Sequence, residues 1–173
     1  MGAEIDYESF IQELDKKLSL YFGAYKNEIY CRKGCCECCE KGDYPLSDIE
    51  LNYLMQGFIE LDSKHKSLIQ HNIKNIKKGG ACPFLINKTC SVYKYRPIIC
   101  RVHGLAYICK DNVVKLPYCA NNNKNFSKNF SNNEFIGKPV SENLDTSNIL
   151  KRYIKDNGNI IIKNLYDWIR DVI

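Results

Sequence analysis

The chain has 173 residues, 45% hydrophobic and 26% charged, with 25 Lys and Arg against 20 Asp and Glu. That size supports one domain with a core that needs no covalent staples, so the ten cysteines demand another reason. At about 6% they fall below the density of short disulfide scaffolds. Residues 1–8 are acidic, and no apolar run reaches the roughly 18 residues of a membrane helix. A cytoplasmic, bacterial-type setting is therefore expected, with no membrane partner. There, clustered thiols stay reduced and more often bind metal or carry redox chemistry than form bridges.

Along the chain, Tyr7, Phe10, Ile11, Leu14, Leu18, Tyr21 and Tyr25 recur at spacings of three and four and predict an amphipathic helix over 6–25. Cys31, Cys35, Cys36, Cys38 and Cys39 follow. Ser47 and Glu50 have the spacing of a capping box, and Leu46 and Leu51 that of a hydrophobic staple, for a helix to about Ile59. A third helix is predicted from Asp62 or Ser63 to Lys78, stopped by a left-handed cap at Gly79-Gly80. Cys82, Cys90, Cys100, Cys109 and Cys119 come next at intervals of eight to ten residues. Leu105–Cys109 and Val113–Leu116 flank Asp111-Asn112 and predict a short β-hairpin. The seven asparagines of 121–133 read as an exposed loop. Helices are predicted at 145–156 and 159–172, with Gly158 between them. The expected fold is mainly α with a small β-hairpin. It would be a single metal-stabilised domain over 1–173, its helices packed around an irregular cysteine-rich centre at 29–119, with the C-terminal helices in 143–173.

Five thiols within nine residues are too many for ordinary packing. Two Cys-x-x-Cys registers overlap, Cys35/Cys38 and Cys36/Cys39, and each lets two sulfurs face one metal. Gly34 relaxes the backbone before the turn. Neighbouring thiolates repel, and a bound cation removes that penalty. The spacing Cys31-x3-Cys35-x2-Cys38 also matches a radical S-adenosylmethionine cluster. Glu37 stands where that family has an aromatic residue, and no strand–helix repeat of a barrel is present, so radical chemistry is not expected.

Taken together, Cys31-x3-Cys35-x2-Cys38-Cys39, Pro45-Leu46-Ser47-x-x-Glu50, Cys82-Pro83-Phe84-Leu85, Cys90-x-x-Tyr93 and Arg96-Pro97-x-x-Cys100-Arg101 resemble the CxxCxxCC (YkgJ-like) cysteine-cluster proteins. These are described as zinc- or iron-chelating domains. The resemblance covers about residues 29–119. It implies Cys31, Cys35, Cys38, Cys39, Cys82, Cys90 and Cys100 as metal positions, with Cys109 or Cys119 as a later one; Cys36 is extra to the pattern. Some larger relatives join this cluster to flagellin lysine N-methylation. The chain has no Gly-x-Gly element for a nucleotide or S-adenosylmethionine site, so that activity is not carried over.

The leading expectation is a protein holding zinc or iron, as an ion or as an Fe–S cluster, that joins the 31–39 loop to the 82–119 segment. The rivals are an Fe–S redox or group-transfer enzyme and a thiol redox sensor or metal-delivery protein. Adjacent side chains diverge, so Cys35 is expected to ligate and Cys36 to stand by. His103 is read as a partly exposed loop residue, a nitrogen ligand or a proton donor beside the cluster, and His65 and His71 as surface residues. Arg96 and Arg101 would donate to thiolates or to an anionic ligand, or pair with Glu37 or Glu40. Phe84, Tyr93, Tyr95 and Tyr107 would form an apolar wall, and Trp168 belongs to the core. The formal charge of +5 omits the thiols; two four-thiolate zinc sites would bring it to about +1. Only Lys74, Lys77 and Lys78 cluster, at a predicted helix end, so nucleic acid is not an expected partner.

Overall fold

A computed structural model of the chain describes residues 6–32, 34–42, 44–108, 114–115, 125–131, 134–135, 141–142, 146–153 and 160–172. In chain order its elements are α1 (Tyr7–Ala24), α2 (Glu37–Glu40), β1 (Pro45–Ser47), α3 (Asp48–Glu60), α4 (Ser63–Lys74), β2 (Leu85–Ile86) and β3 (Thr89–Cys90). A 3₁₀ turn at Tyr93–Tyr95 leads to α5 (Ile98–Val102), β4 (Tyr107–Ile108) and β5 (Val114–Lys115). A second turn at Ser127–Asn129 precedes β6 (Phe130–Ser131), β7 (Glu134–Phe135), β8 (Ser141–Glu142), α6 (Thr146–Tyr153), β9 (Ile162–Asn164) and α7 (Leu165–Val172). The architecture is mainly α with a small β part, as the sequence predicts. Two compact units are present, residues 1–31 with 101–158 and residues 32–100 with 159–173.

In the first unit, Asp6 caps α1 by accepting from the Ser9 N–H at 3.4 Å. The predicted stripe buries Tyr7, Ile11, Leu14 and Leu18. Tyr153 of α6 meets Tyr7 edge-on and lies 4.9 Å from the Phe10 ring, centroid to centroid. Asp15, at the edge of this stripe beside Ile11 and Leu18, pairs with the buried Arg101. The predicted hairpin is present: β4 and β5 pair antiparallel, and β8 adds to β4 in parallel. The asparagine-rich segment differs from expectation. Asn125 and Phe126 are buried, each only 1% exposed. Hydrogen bonds draw them in, since the Phe126 N–H donates to Glu28 O at 2.7 Å and the Tyr30 N–H to Asn125 Oδ1 at 2.6 Å.

The second unit is organised around α3. Its capping box forms as predicted: the Glu50 N–H donates to Ser47 Oγ, and the Ser47 N–H to Glu50 Oε2 at 2.7 Å. β1 runs into this cap and pairs antiparallel with β9, Pro45 opposite Asn164 and Ser47 opposite Ile162. The helix predicted over 159–172 is thus corrected: Ile162–Asn164 is strand, and helix begins at Leu165. The run Ile160-Ile161-Ile162 is β-branched and favours a strand once β1 offers a partner. Trp168 is half-buried, and its indole N–H donates to Leu46 O at 2.9 Å.

The third helix is also shorter than predicted. Asp62 caps α4, which ends at Lys74 with Asn75 as its C-cap. Asn75 hydrogen-bonds its N–H back to Asn72 O and Ile73 O, ending the helix four residues before the glycines. Gly79, at φ +72°, instead turns the chain that follows. β2 and β3 form a two-residue hairpin whose tip, Asn87-Lys88, has φ of +49° and +60°. Both values match a type I′ turn.

Gly57 on α3 lies flat against the Tyr95 ring, and a Cβ there would fall inside the ring's van der Waals surface. Gly57→Ala is expected to lower stability by about 1–3 kcal/mol through overpacking. The urea midpoint at unchanged slope measures it.

Candidate metal centre

The second unit brings the two cysteine blocks together through its backbone. In block one, Gly34 adopts φ +91° and the Cys35 N–H closes a turn on Arg32 O at 2.9 Å. The one-turn helix α2 then carries Cys38 and Cys39, and the Tyr44 hydroxyl donates to Cys38 O at 2.9 Å. In block two, the Cys82 N–H donates to Cys39 O at 2.7 Å, and the Gly42 N–H to Gly80 O at 3.3 Å. Those bonds set Cys82 beside α2. The Leu85 N–H bonds back to Cys82 O, and Leu85 faces Cys90 across the β2–β3 hairpin. Cys100 sits on α5, its N–H bonded to Pro97 O at 3.0 Å.

Four of these thiols act on one another electrostatically. Burial pushes the Cys82 thiol up to about 12, and the Cys90 and Cys38 thiols add to the rise. Cys100 is raised well above an ordinary thiol by burial first, then by Cys82, Cys38 and Cys90. Cys90 is raised by burial and by Cys38. Cys38 is raised chiefly by its hydrogen bond with Cys39, the sulfurs 3.9 Å apart, and then by burial. Arg96 opposes the trend at Cys90 and Cys100. Without a cation, such a group keeps its protons. Among the described residues no three or more Cys, His, Asp or Glu side chains stand at metal-holding geometry as they are. The donor set nonetheless fits a soft or borderline cation. Four sulfurs share one poorly solvated region, and their mutual repulsion as thiolates is what a bound divalent ion offsets.

The remaining candidates fall elsewhere. Cys36 donates its S–H toward Glu40 Oε1 at 3.6 Å, and partial burial with that carboxylate pushes its thiol up. Cys31 belongs to the first unit, where Asn125 Nδ2 donates to its sulfur at 3.4 Å. Cys109 and Cys119 lie outside the described residues. His103 is buried in the first unit, not partly exposed. Arg101 pairs with Asp15. Arg96 donates to Tyr93 O at 2.8 Å and stacks on the Tyr93 ring. Phe84 and Tyr95 are buried, but Tyr93 is 52% exposed and forms no part of an apolar wall. Asn125 escaped the sequence reading because nothing in an asparagine run marks one member as buried.

A family profile described as "CxxCxxCC: Putative zinc- or iron-chelating domain" matches residues 30–132. The chain belongs to this family. The family's match extends past Asn125 and Phe126, beyond the 29–119 region that carries the spacing pattern. The "Uncharacterized protein MJ0661" of Methanocaldococcus jannaschii is 31% identical over 113 residues, 61% of this chain. The aligned part spans 62% of that relative's length. No solved structure matches the chain. No helix among the described residues is long and apolar enough to cross a membrane.

Gly104 packs against Cys31: a Cβ there would lie 2.8 Å from the sulfur, and its φ of +96° disfavours any L side chain. Gly104→Ala is expected to cost about 1–3 kcal/mol from strain and clash. Thermal melting of the reduced protein measures it.

Proposed function

We propose that the protein binds zinc or iron through a centre whose inner ligands are Cys38, Cys82, Cys90 and Cys100. The observation that carries this reading is the Cys82 N–H bond to Cys39 O, which lays block two against α2, and the raised thiols of Cys82, Cys90 and Cys100 beside Cys38 agree with it. Cys35 and Cys39, which the family spacing also offers, would be drawn in if the centre were polynuclear. Cys31, Cys109 and Cys119 remain family-derived candidates. Thiolate ligation suits zinc and iron alike, and the iron form extends to an Fe–S cluster. A closed four-thiolate site would make the metal part of the fold, since ligands from segments over 40 residues apart would be tied by one ion.

The test is elemental analysis of protein purified anaerobically after growth with zinc and iron, with an absorption spectrum. Broad visible absorption identifies an Fe–S centre, whereas zinc is colourless. Cys38→Ser, Cys82→Ser, Cys90→Ser and Cys100→Ser should each lose most of the metal, and Cys36→Ser should keep it. Retention in Cys35→Ser points to one ion, and loss to a polynuclear centre. Loss of metal from Cys36→Ser with retention in Cys38→Ser would sink the assignment and favour the Cys36/Cys39 register.

Chelation under reducing conditions should lower the melting temperature and reduce the helical circular dichroism of the second unit's elements. An unchanged melt after complete metal removal would show that the metal is not structural.

A further inference from the structure

Glu50 is a carboxylate only 1% exposed, and it serves more than its own helix. Its Oε2 accepts from the Ser47 N–H at 2.7 Å and the Ser47 hydroxyl at 2.9 Å. Its Oε1 accepts from the Ile98 N–H at 2.9 Å, 48 residues away in sequence. Ile98 opens α5, where the first amides have no partner within the helix. Ile98 is fully buried and follows Pro97, which has no N–H of its own. Cys100 lies two residues further on, in the same turn, tied to Pro97 O.

We infer that Glu50 is a positioning residue of the metal centre, fixing the start of α5 and through it the Cys100 thiol. The inference rests on the metal-binding reading above. Metal–sulfur bonds hold to within about 0.2 Å, so a ligand on a five-residue helix needs its first turn anchored. The oxygens divide the work: one closes the cap of α3, the other holds α5. Such supporting bonds to a ligand's own segment set affinity as well as orientation.

The division of labour supplies the test. In Glu50→Gln, the single remaining oxygen is best used by the two Ser47 donors, which leaves an NH₂ against the Ile98 N–H. The α3 cap survives and the α5 anchor is lost. Ser47→Ala does the converse, weakening the cap while the Glu50–Ile98 bond remains. Zinc affinity of each reduced protein is measured by competition with a chromogenic chelator, alongside circular dichroism and urea midpoints.

Glu50→Gln is expected to bind zinc about 10- to 100-fold more weakly than wild type. Ser47→Ala should bind within about threefold of wild type even though its midpoint falls. Equal zinc affinity of Glu50→Gln and wild type, or equal weakening in both variants, overturns the inference and leaves Glu50 a purely structural cap. Should Glu50→Gln not fold, Glu50→Asp takes its place, its carboxylate one methylene too short to reach Ile98 from the cap; the same outcomes decide. A wild type that takes up neither zinc nor iron overturns the metal reading and this inference together.

Discussion

One buried carboxylate, Glu50, terminates two helices at once, and the order of the second unit follows from it. Burying a carboxylate this deeply is unfavourable unless both oxygens are hydrogen-bonded. Here two oxygens meet three donors, from Ser47 and Ile98. With that satisfied, β1 has a fixed end, β9 a strand to pair with, and the Trp168 indole a carbonyl to bond. The segment from Arg96 to Cys100 gains a defined start, although α5 is too short to be stable by its own hydrogen bonds. Removing the carboxylate would orphan buried donors in two places, a cost of about 1–3 kcal/mol for each.

The opposing constraint is the crowding of sulfur. Cys38, Cys82, Cys90 and Cys100 stand where each makes the others harder to ionise, with Arg96 the cation that relieves Cys90 and Cys100. A fold evolved for a packed core would place leucine or valine in such a region. Thiols there make physical sense when a cation completes the site, because metal binding replaces four protons by one ion and turns repulsion into ligation. The backbone bond from Cys82 to Cys39 O shows how little chain is needed to bring the blocks into register.

Much of this was legible in the residues. The α1 stripe, the Ser47/Glu50 box and the β4–β5 pairing follow from periodicity, capping chemistry and turn signals, which are local. The departures come from long-range pairing. Ile160-Ile161-Ile162 fits helix or strand equally until β1 is in place, so only the partner decides. Asn75 ends α4 because its N–H folds back on the helix, while Gly79 supplies a turn that the sequence assigned to the cap. The family spacing named the cysteines, but it could not group them. Which four interact depends on the β2–β3 hairpin and on α2, neither of which has enough residues to show a period.

The most direct measurement is X-ray absorption at the metal edge of protein purified without air. A first shell of four sulfurs, near 2.3 Å if the metal is zinc, is the expected result. A shell dominated by nitrogen or oxygen at about 2.0–2.1 Å, or one with fewer than three sulfurs, would contradict a centre built on Cys38, Cys82, Cys90 and Cys100.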